Sequence, residues 1–117
     1  MIRIAAIVLF LGIALGAFGA HGLEETLTEN DRVDTWETAA FYHLIHGLAL
    51  LIVALLLPTR RFIFGAFLVG VLIFSGSLYA LAVTDVGKLG AITPIGGLSF
   101  LLGWGALILS PSPPRLR

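Results

Sequence analysis

Residues 38–59 read TAAFYHLIHGLALLIVALLLPT, a run without a formal charge that closes on Pro58-Thr59. A bilayer's hydrocarbon core is spanned by about 20 predominantly apolar residues in a helix, and this run meets that length. Working outward from it, three more uncharged stretches cover residues 4–23, 62–84 and 89–114. The seven acidic and seven basic residues are confined to the short segments between and beyond them. The pattern predicts an all-α integral membrane four-helix bundle, a single domain over 1–117 with helices at about 3–22, 31–57, 61–83 and 88–110.

Composition excludes the alternatives. With 117 residues, 58% of them hydrophobic and 12% charged, and a mean hydropathy of +1.03, a soluble globule of this size could not hide its apolar surface from water. The formal net charge is zero and no basic patch exceeds the Arg60-Arg61 pair, so nucleic acid is rejected as a partner. The absence of cysteine removes disulfides, thiolate catalysis and thiolate metal sites. Arg3, the apolar run 4–15 and the small residues Ala17 and Gly19 also resemble a signal peptide with its cleavage site. Three further apolar segments follow, so the chain enters the membrane in either case, and a retained first helix is the expectation.

Orientation follows from the cations. With the N-terminus inside, the inner side carries Arg3, Arg60, Arg61, Arg115 and Arg117, and the outer side only Arg32 and Lys88. This is the positive-inside pattern over short loops, and it predicts an N-in/C-in, multi-pass protein of the cytoplasmic (inner) membrane. All seven acidic residues then fall outside.

Helix 1 carries Gly12, Gly16 and Ala20 at spacings of four, which predicts a helix-packing face where a second backbone approaches. In the outer loop, Asn30 or Asp31 followed by Asp34 and Glu37 predicts an N-cap and a start for helix 2 near Asp31. Trp36 and Tyr42 would be interfacial anchors. Pro58 ends helix 2, and the short Thr59-Arg60-Arg61 link makes helices 2 and 3 antiparallel neighbours. Helix 3 bears the polar-small group Ser75-Gly76-Ser77. The fourth segment is irregular. A helix from Thr93-Pro94 to Leu109 rises only about 24 Å, so it is expected to be kinked or broken near Pro94, either as a helix from Lys88 that bends there or as irregular backbone over 90–93. The tail Ser110-Pro111-Ser112-Pro113-Pro114 reads as a non-helical stop. A weak parallel repeat sets residues 44–48 against 94–98 and 16–23 against 74–81.

Ionisable groups inside a membrane helix mark the places to look for function. His46 lies nine residues beyond Glu37, about 13 Å along helix 2 and near mid-membrane, with His43 one turn above on the same face. Ser75 and Tyr79 of helix 3 fall at the depths of His46 and His43, and Thr93 falls near Tyr79. These five predict a polar cluster in the outer half of the bundle, with His46 in hydrogen-bonding reach of 75–79 or of the Thr93-Pro94 break. Such a cluster reads either as a proton relay or solute path, or as interhelical bonds that specify packing. His21, at the outer end of helix 1, reads as a capping or interface residue. No metal or cofactor is expected: no carboxylate or cysteine joins the His43/His46 pair in register, and haem needs opposed imidazoles. No nucleophile elbow, phosphate loop or paired intramembrane carboxylate is present, and Ser75 or Ser77 has no evident third residue to complete a nucleophilic site.

Four blocks carry a resemblance: Gly16-Ala17-Phe18-Gly19-Ala20-His21-Gly22-Leu23; Trp36-Glu37-Thr38-Ala39 with Tyr42 and His46; Phe74-Ser75-Gly76-Ser77-Leu78-Tyr79; and Gly90-Ala91-Ile92-Thr93-Pro94-Ile95-Gly96-Gly97. Together they resemble the YgdD/YwdK family of small membrane proteins, to which a family of animal transmembrane proteins is similar. The resemblance implies a four-helix inner-membrane protein with no established biochemical function, and it transfers no catalytic residue. It places His21, His46, Ser75, Tyr79 and Thr93-Pro94 within the blocks that mark the family. The functional expectation is a non-enzymatic membrane component, a homo-oligomer or one packed with a membrane-protein partner; the alternative is a small transporter or channel using the His46/Tyr79/Thr93 cluster.

Overall fold

A computed structural model describes residues 1–112, which hold helices and turns and no strand. Pro113, Pro114 and the cations Arg115 and Arg117 lie outside the described residues. Helix α1 covers Ile2–Ala20, a short α2 Glu24–Glu29 and α3 Val33–Leu56. Then α4, Arg61–Gly70, passes through a π-helical turn, Val71–Ser75, into α5, Gly76–Thr84. A 3-10 helix, Gly87–Ala91, precedes α6, Thr93–Ile108. Four of these helical stretches are long and apolar enough to cross a membrane: Ile2–Ala20, Val33–Leu56, Arg61–Thr84 and Gly87–Ile108, referred to below as spans 1 to 4.

Each boundary has a local cause. Span 2 stops at Leu56, two residues before Pro58, because proline lacks the N–H that would continue the ladder and disfavours helical geometry in the residue before it. Span 3 stops where Asp85 turns left-handed, with φ 54° and its N–H bonded to the Leu81 carbonyl. Thr93-Pro94 opens α6 with proline in its first turn, where a missing N–H costs nothing. The start of span 2 differs from expectation. It begins at Val33, and its cap position, Arg32, makes no side-chain cap bond. Asp31 instead turns left-handed with φ 53°, and Asn30 Nδ2 donates to the carbonyls of Ala82 and Val83 at 3.0 and 3.1 Å. Asn30 thus satisfies orphan carbonyls at the end of span 3 rather than amides at the start of span 2. Beside it Arg32 Nε meets Asp85 Oδ1 at 2.9 Å. The loop after span 1 is therefore pinned to the end of span 3, and Leu27 of α2, 2% exposed, closes that end of the bundle over Trp36 and Ala82.

Spans pack in chain order. Span 1 lies along span 2, span 2 along span 3, and span 4 along the α4 half and π turn of span 3; spans 1 and 4 share no extended contact. The cross-section is accordingly flattened, 26 by 17 Å on a length of 53 Å. Apolar contact alone gives little drive between helices in lipid, so close approach matters, and glycines set it. A methyl on Gly12 would lie 2.8 Å from Leu44, and one on Gly47 2.8 Å from Leu9. The second hairpin repeats the device. A methyl on Gly70 would lie 2.3 Å from Phe100, one on Gly103 2.6 Å from Phe67, and one on Gly96 2.3 Å from the Phe74 backbone nitrogen. That last contact falls in the π turn, where span 3 carries an extra residue per turn.

Within the chain, the packing face of span 1 and the placement of Trp36 in span 2 both differ from expectation. The buried positions are Ala5, Val8, Gly12 and Gly19, alternating by three and four or their sum, as in a heptad seam. A methyl on Gly16 would meet nothing within 4 Å, and Ala20 is exposed, because a strict spacing of four drifts around the helix. Trp36 is no interfacial anchor either. It is 4% exposed, lies against Gly19, and its Nε1–H donates to the Leu15 carbonyl at 2.9 Å. The repeat also changes register. Span 1 maps onto span 3 through Leu9/Phe67 and Gly12/Gly70, an offset of 58, while span 2 maps onto span 4 through Leu44/Phe100 and Gly47/Gly103, an offset of 56 rather than 50.

Candidate functional site

Span 2 brings two histidines into the interior, His43 at 5% and His46 at 4% exposure. They serve different interfaces. His43 Nε2 lies 2.8 Å from the Val8 carbonyl of span 1, and a carbonyl only accepts, so Nε2 carries the proton. Its Nδ1, 3.0 Å from the Tyr79 oxygen of span 3, is then the acceptor, and the Tyr79 hydroxyl donates. The Tyr79 ring leans on Trp36, with centroids 4.6 Å apart, which fixes the hydroxyl's position. One imidazole thus ties spans 1, 2 and 3 together.

His46 is held in the opposite tautomer. Indole N–H can only donate, so His46 Nε2 accepts from Trp104 Nε1 of span 4 at 3.0 Å. Its Nδ1–H donates to the Tyr42 carbonyl one turn back at 2.9 Å. The ring stacks on Phe100, centroids 3.6 Å apart and planes 15° apart. Spans 2 and 4 meet here through rings rather than backbones. Beside the rings runs a groove of about 480 Å³ bordered by Tyr42, Pro94, Gly97, Leu101 and Trp104.

The remaining predicted residues form separate contacts. Ser75 Oγ donates to the Ala39 carbonyl at 2.8 Å, not to His46. Thr93 Oγ1 pairs with Ser77 Oγ at 2.6 Å, which joins the start of α6 to span 3. The anticipated single cluster of His43, His46, Ser75, Tyr79 and Thr93 is therefore four distinct bonds: His43 with Tyr79, Ser75 with Ala39, Thr93 with Ser77, and His46 with Trp104. His21 stands exposed at the C-cap of α1. Trp104 is the partner that sequence reasoning missed. Its signal was available, since an indole N–H eleven residues into an apolar helix needs an acceptor, and few exist there.

Chemically, the arrangement is saturated. Neutral imidazole has one lone pair on nitrogen, and in both histidines it is occupied, by Tyr79 for His43 and by Trp104 for His46. Neither can bind a metal without first losing that bond. Among the described residues no group of three or more histidine or acidic side chains gathers as metal ligands, and every buried side-chain nitrogen and oxygen has a partner.

Four apolar spans around an interior whose polar groups are paired within the chain define a multi-pass helical membrane protein. The chain belongs to the family described as protein of unknown function (DUF423), which matches residues 15–97. It is 43% identical over 113 residues to UPF0382 membrane protein SH2409 of Staphylococcus haemolyticus, covering 93% of this chain and 92% of that protein. It is 39% identical over 118 residues to UPF0382 membrane protein YwdK of Bacillus subtilis, covering 93% of each, and 40% identical over 113 residues to UPF0382 membrane protein SAB0533 of Staphylococcus aureus, with 93% and 92% covered. No solved structure matches.

Proposed function

We propose that the protein is a non-enzymatic component of the cytoplasmic membrane, oriented with both termini inside, that acts by packing with itself or with a membrane partner. The observation that carries this reading is the closure of the interior hydrogen bonds. A proton relay needs an imidazole whose two nitrogens face exchangeable partners on either side, whereas His46 gives its proton to a backbone carbonyl and its lone pair to an indole that can do nothing but donate. The groove beside it is walled by aromatic and aliphatic side chains, which suits acyl chains rather than a hydrated solute. Among the described residues no nucleophile, base and orienting group come together: Ser75 and Ser77 spend their hydroxyl protons on carbonyls or on Thr93.

The test is a proton-flux measurement in proteoliposomes at an imposed pH gradient, made on the wild type and on His46→Gln. Expected are fluxes equal to protein-free vesicles for both, together with lower stability for the variant. A wild-type flux above that background which His46→Gln removes would overturn the reading in favour of a transporter or channel.

A further inference from the structure

The two hairpins are one packing unit used twice. Val8 of span 1 presents its carbonyl to the His43 side chain of span 2 at 2.8 Å, and Ala66 of span 3 presents its carbonyl to the Ser99 side chain of span 4 at 2.7 Å. Leu9 fills the space over Gly47, and Phe67 fills it over Gly103; Gly12 receives Leu44, and Gly70 receives Phe100. Val8 to Ala66, Leu9 to Phe67 and Gly12 to Gly70 are each 58 positions, while His43 to Ser99, Leu44 to Phe100 and Gly47 to Gly103 are each 56. Three independent contacts in one register are a structural repeat of parallel sense.

A repeat carries a consequence for the unpaired ends. Span 2 packs on span 3, so span 4, which is span 2's counterpart, has a face built to receive a counterpart of span 3. That counterpart is span 1, and within the chain spans 1 and 4 share no extended contact. We propose that span 4 of one copy receives span 1 of a second copy, reproducing between chains the contact that spans 2 and 3 make within one.

The two free faces fit each other. Ser75 against Ala39 inside the chain corresponds to Ala17 against Ile95 between chains, and Phe74 against Tyr42 corresponds to Gly16 against Leu98. Span 4 offers a bulky ridge there: Ile95, Leu98 and Leu102 are 59, 57 and 53% exposed. Span 1 offers small residues, Gly16 and Ala17, and a methyl on Gly16 has open space within the protomer. Bulk into small-residue grooves is the packing that holds helices together in lipid. The interior polar pair has a polar counterpart too, since His43 and Tyr79 map onto Ser99 and the exposed His21. The contact uses different surfaces on the two copies, so it is head-to-tail and leaves a free face at each end until a ring closes.

The inference deepens the self-association reading above, and the two fail separately: flux through His46 would sink that reading whatever the copies do. The chain has no cysteine. Ala17→Cys in one tagged copy and Ile95→Cys in a differently tagged copy are co-expressed and oxidised in native membranes. The in-chain pair Ala39→Cys with Ser75→Cys serves as the reference for disulfide formation at the same level. Expected are a mixed disulfide dimer from the two single variants together, none from either alone, and a fall of about tenfold in its yield on adding Gly16→Leu. No mixed dimer while the reference pair oxidises would overturn the proposal. So would self-dimers of either single variant at equal yield, which would mean that each copy meets its partner through the same surface.

Discussion

Trp104→Phe isolates the bond between spans 2 and 4. Phenylalanine retains an aromatic ring against Phe67, whose centroid lies 4.8 Å from that of Trp104, and removes the N–H donated to His46 Nε2 at 3.0 Å. An acceptor buried at 4% residue exposure is then left without a donor, and an unsatisfied buried polar group costs about 1–3 kcal/mol. Interhelical bonds inside bilayers are weaker than that figure alone suggests, averaging ~0.6 and reaching ~1.7 kcal/mol in mutant cycles, because the unfolded chain also finds partners. The lost volume of the indole adds its own cost, so the single variant is not a clean measure. The cycle formed by Trp104→Phe, His46→Leu and the double variant cancels it, provided the volume terms are independent. The coupling expected is about 0.6–1.7 kcal/mol, with the double variant less destabilised than the sum of the singles. Unfolding by dodecyl sulfate in mixed micelles, followed by far-ultraviolet circular dichroism, measures all four corners. Additivity within ~0.3 kcal/mol would refute the bond and leave Trp104 as a ring that packs and nothing more.

Three other perturbations test separate parts of the fold. Gly96→Ala should destabilise by about 1–3 kcal/mol, because its methyl would stand 2.3 Å from the Phe74 nitrogen and force spans 3 and 4 apart; Gly16→Ala should leave the same unfolding curve unmoved in dilute detergent, and equal effects would undo the packing account. Asn30→Ala, which strips the Ala82 and Val83 carbonyls of their donor, should cost about 1 kcal/mol, more than Arg32→Gln, whose ion pair with Asp85 is 32 and 49% exposed and sits in the class worth ~0–1 kcal/mol; thermal melts that rank the two the other way would contradict it. Cysteines at Thr28 and Ser112 should react with impermeant maleimides from opposite sides of the membrane, as the arginine asymmetry requires, and labelling of both from one side would end the proposed topology.

The spans were legible because lipid selects on a coarse property. Hydropathy averaged over some twenty residues decides whether a segment crosses, and the runs around Leu50, Leu72 and Leu101 satisfy it with no help from any neighbour. Which face of each span meets which partner was not legible in the same way. In a soluble helix the polar residues mark the outside, but a helix apolar all round carries no such mark, so Gly16 and Gly19 look alike in the sequence. Only the seam through Ala5, Val8 and Gly12, continued to Gly19, separates the glycine that receives Trp36 from the one that receives nothing within the chain. The level of Tyr79 against His43 could be read because a link as short as residues 57–60 fixes the axial register of two antiparallel spans. The level of His46 against Trp104 could not, since the irregular stretch from Gly87 to Ile92 sets where span 4 starts, and no rule of length supplies that number.

The repeat was hidden for a related reason. What the two hairpins share is a set of contacts, each with one small and one large side chain, and the identities of the large ones are free to change. Leu9 and Phe67 fill equivalent spaces over Gly47 and Gly103, and Leu44 and Phe100 do the same over Gly12 and Gly70. His43 and Ser99, chemically unlike, perform the same task of donating to a carbonyl across the interface. Matching letters therefore favoured the wrong register for spans 2 and 4, where glycine and leucine recur by composition alone. Matching what each glycine faces gives the right one. In a membrane bundle, where hydrophobicity is uniform and close approach is the scarce resource, the pairs that permit approach are what a duplicated unit must keep.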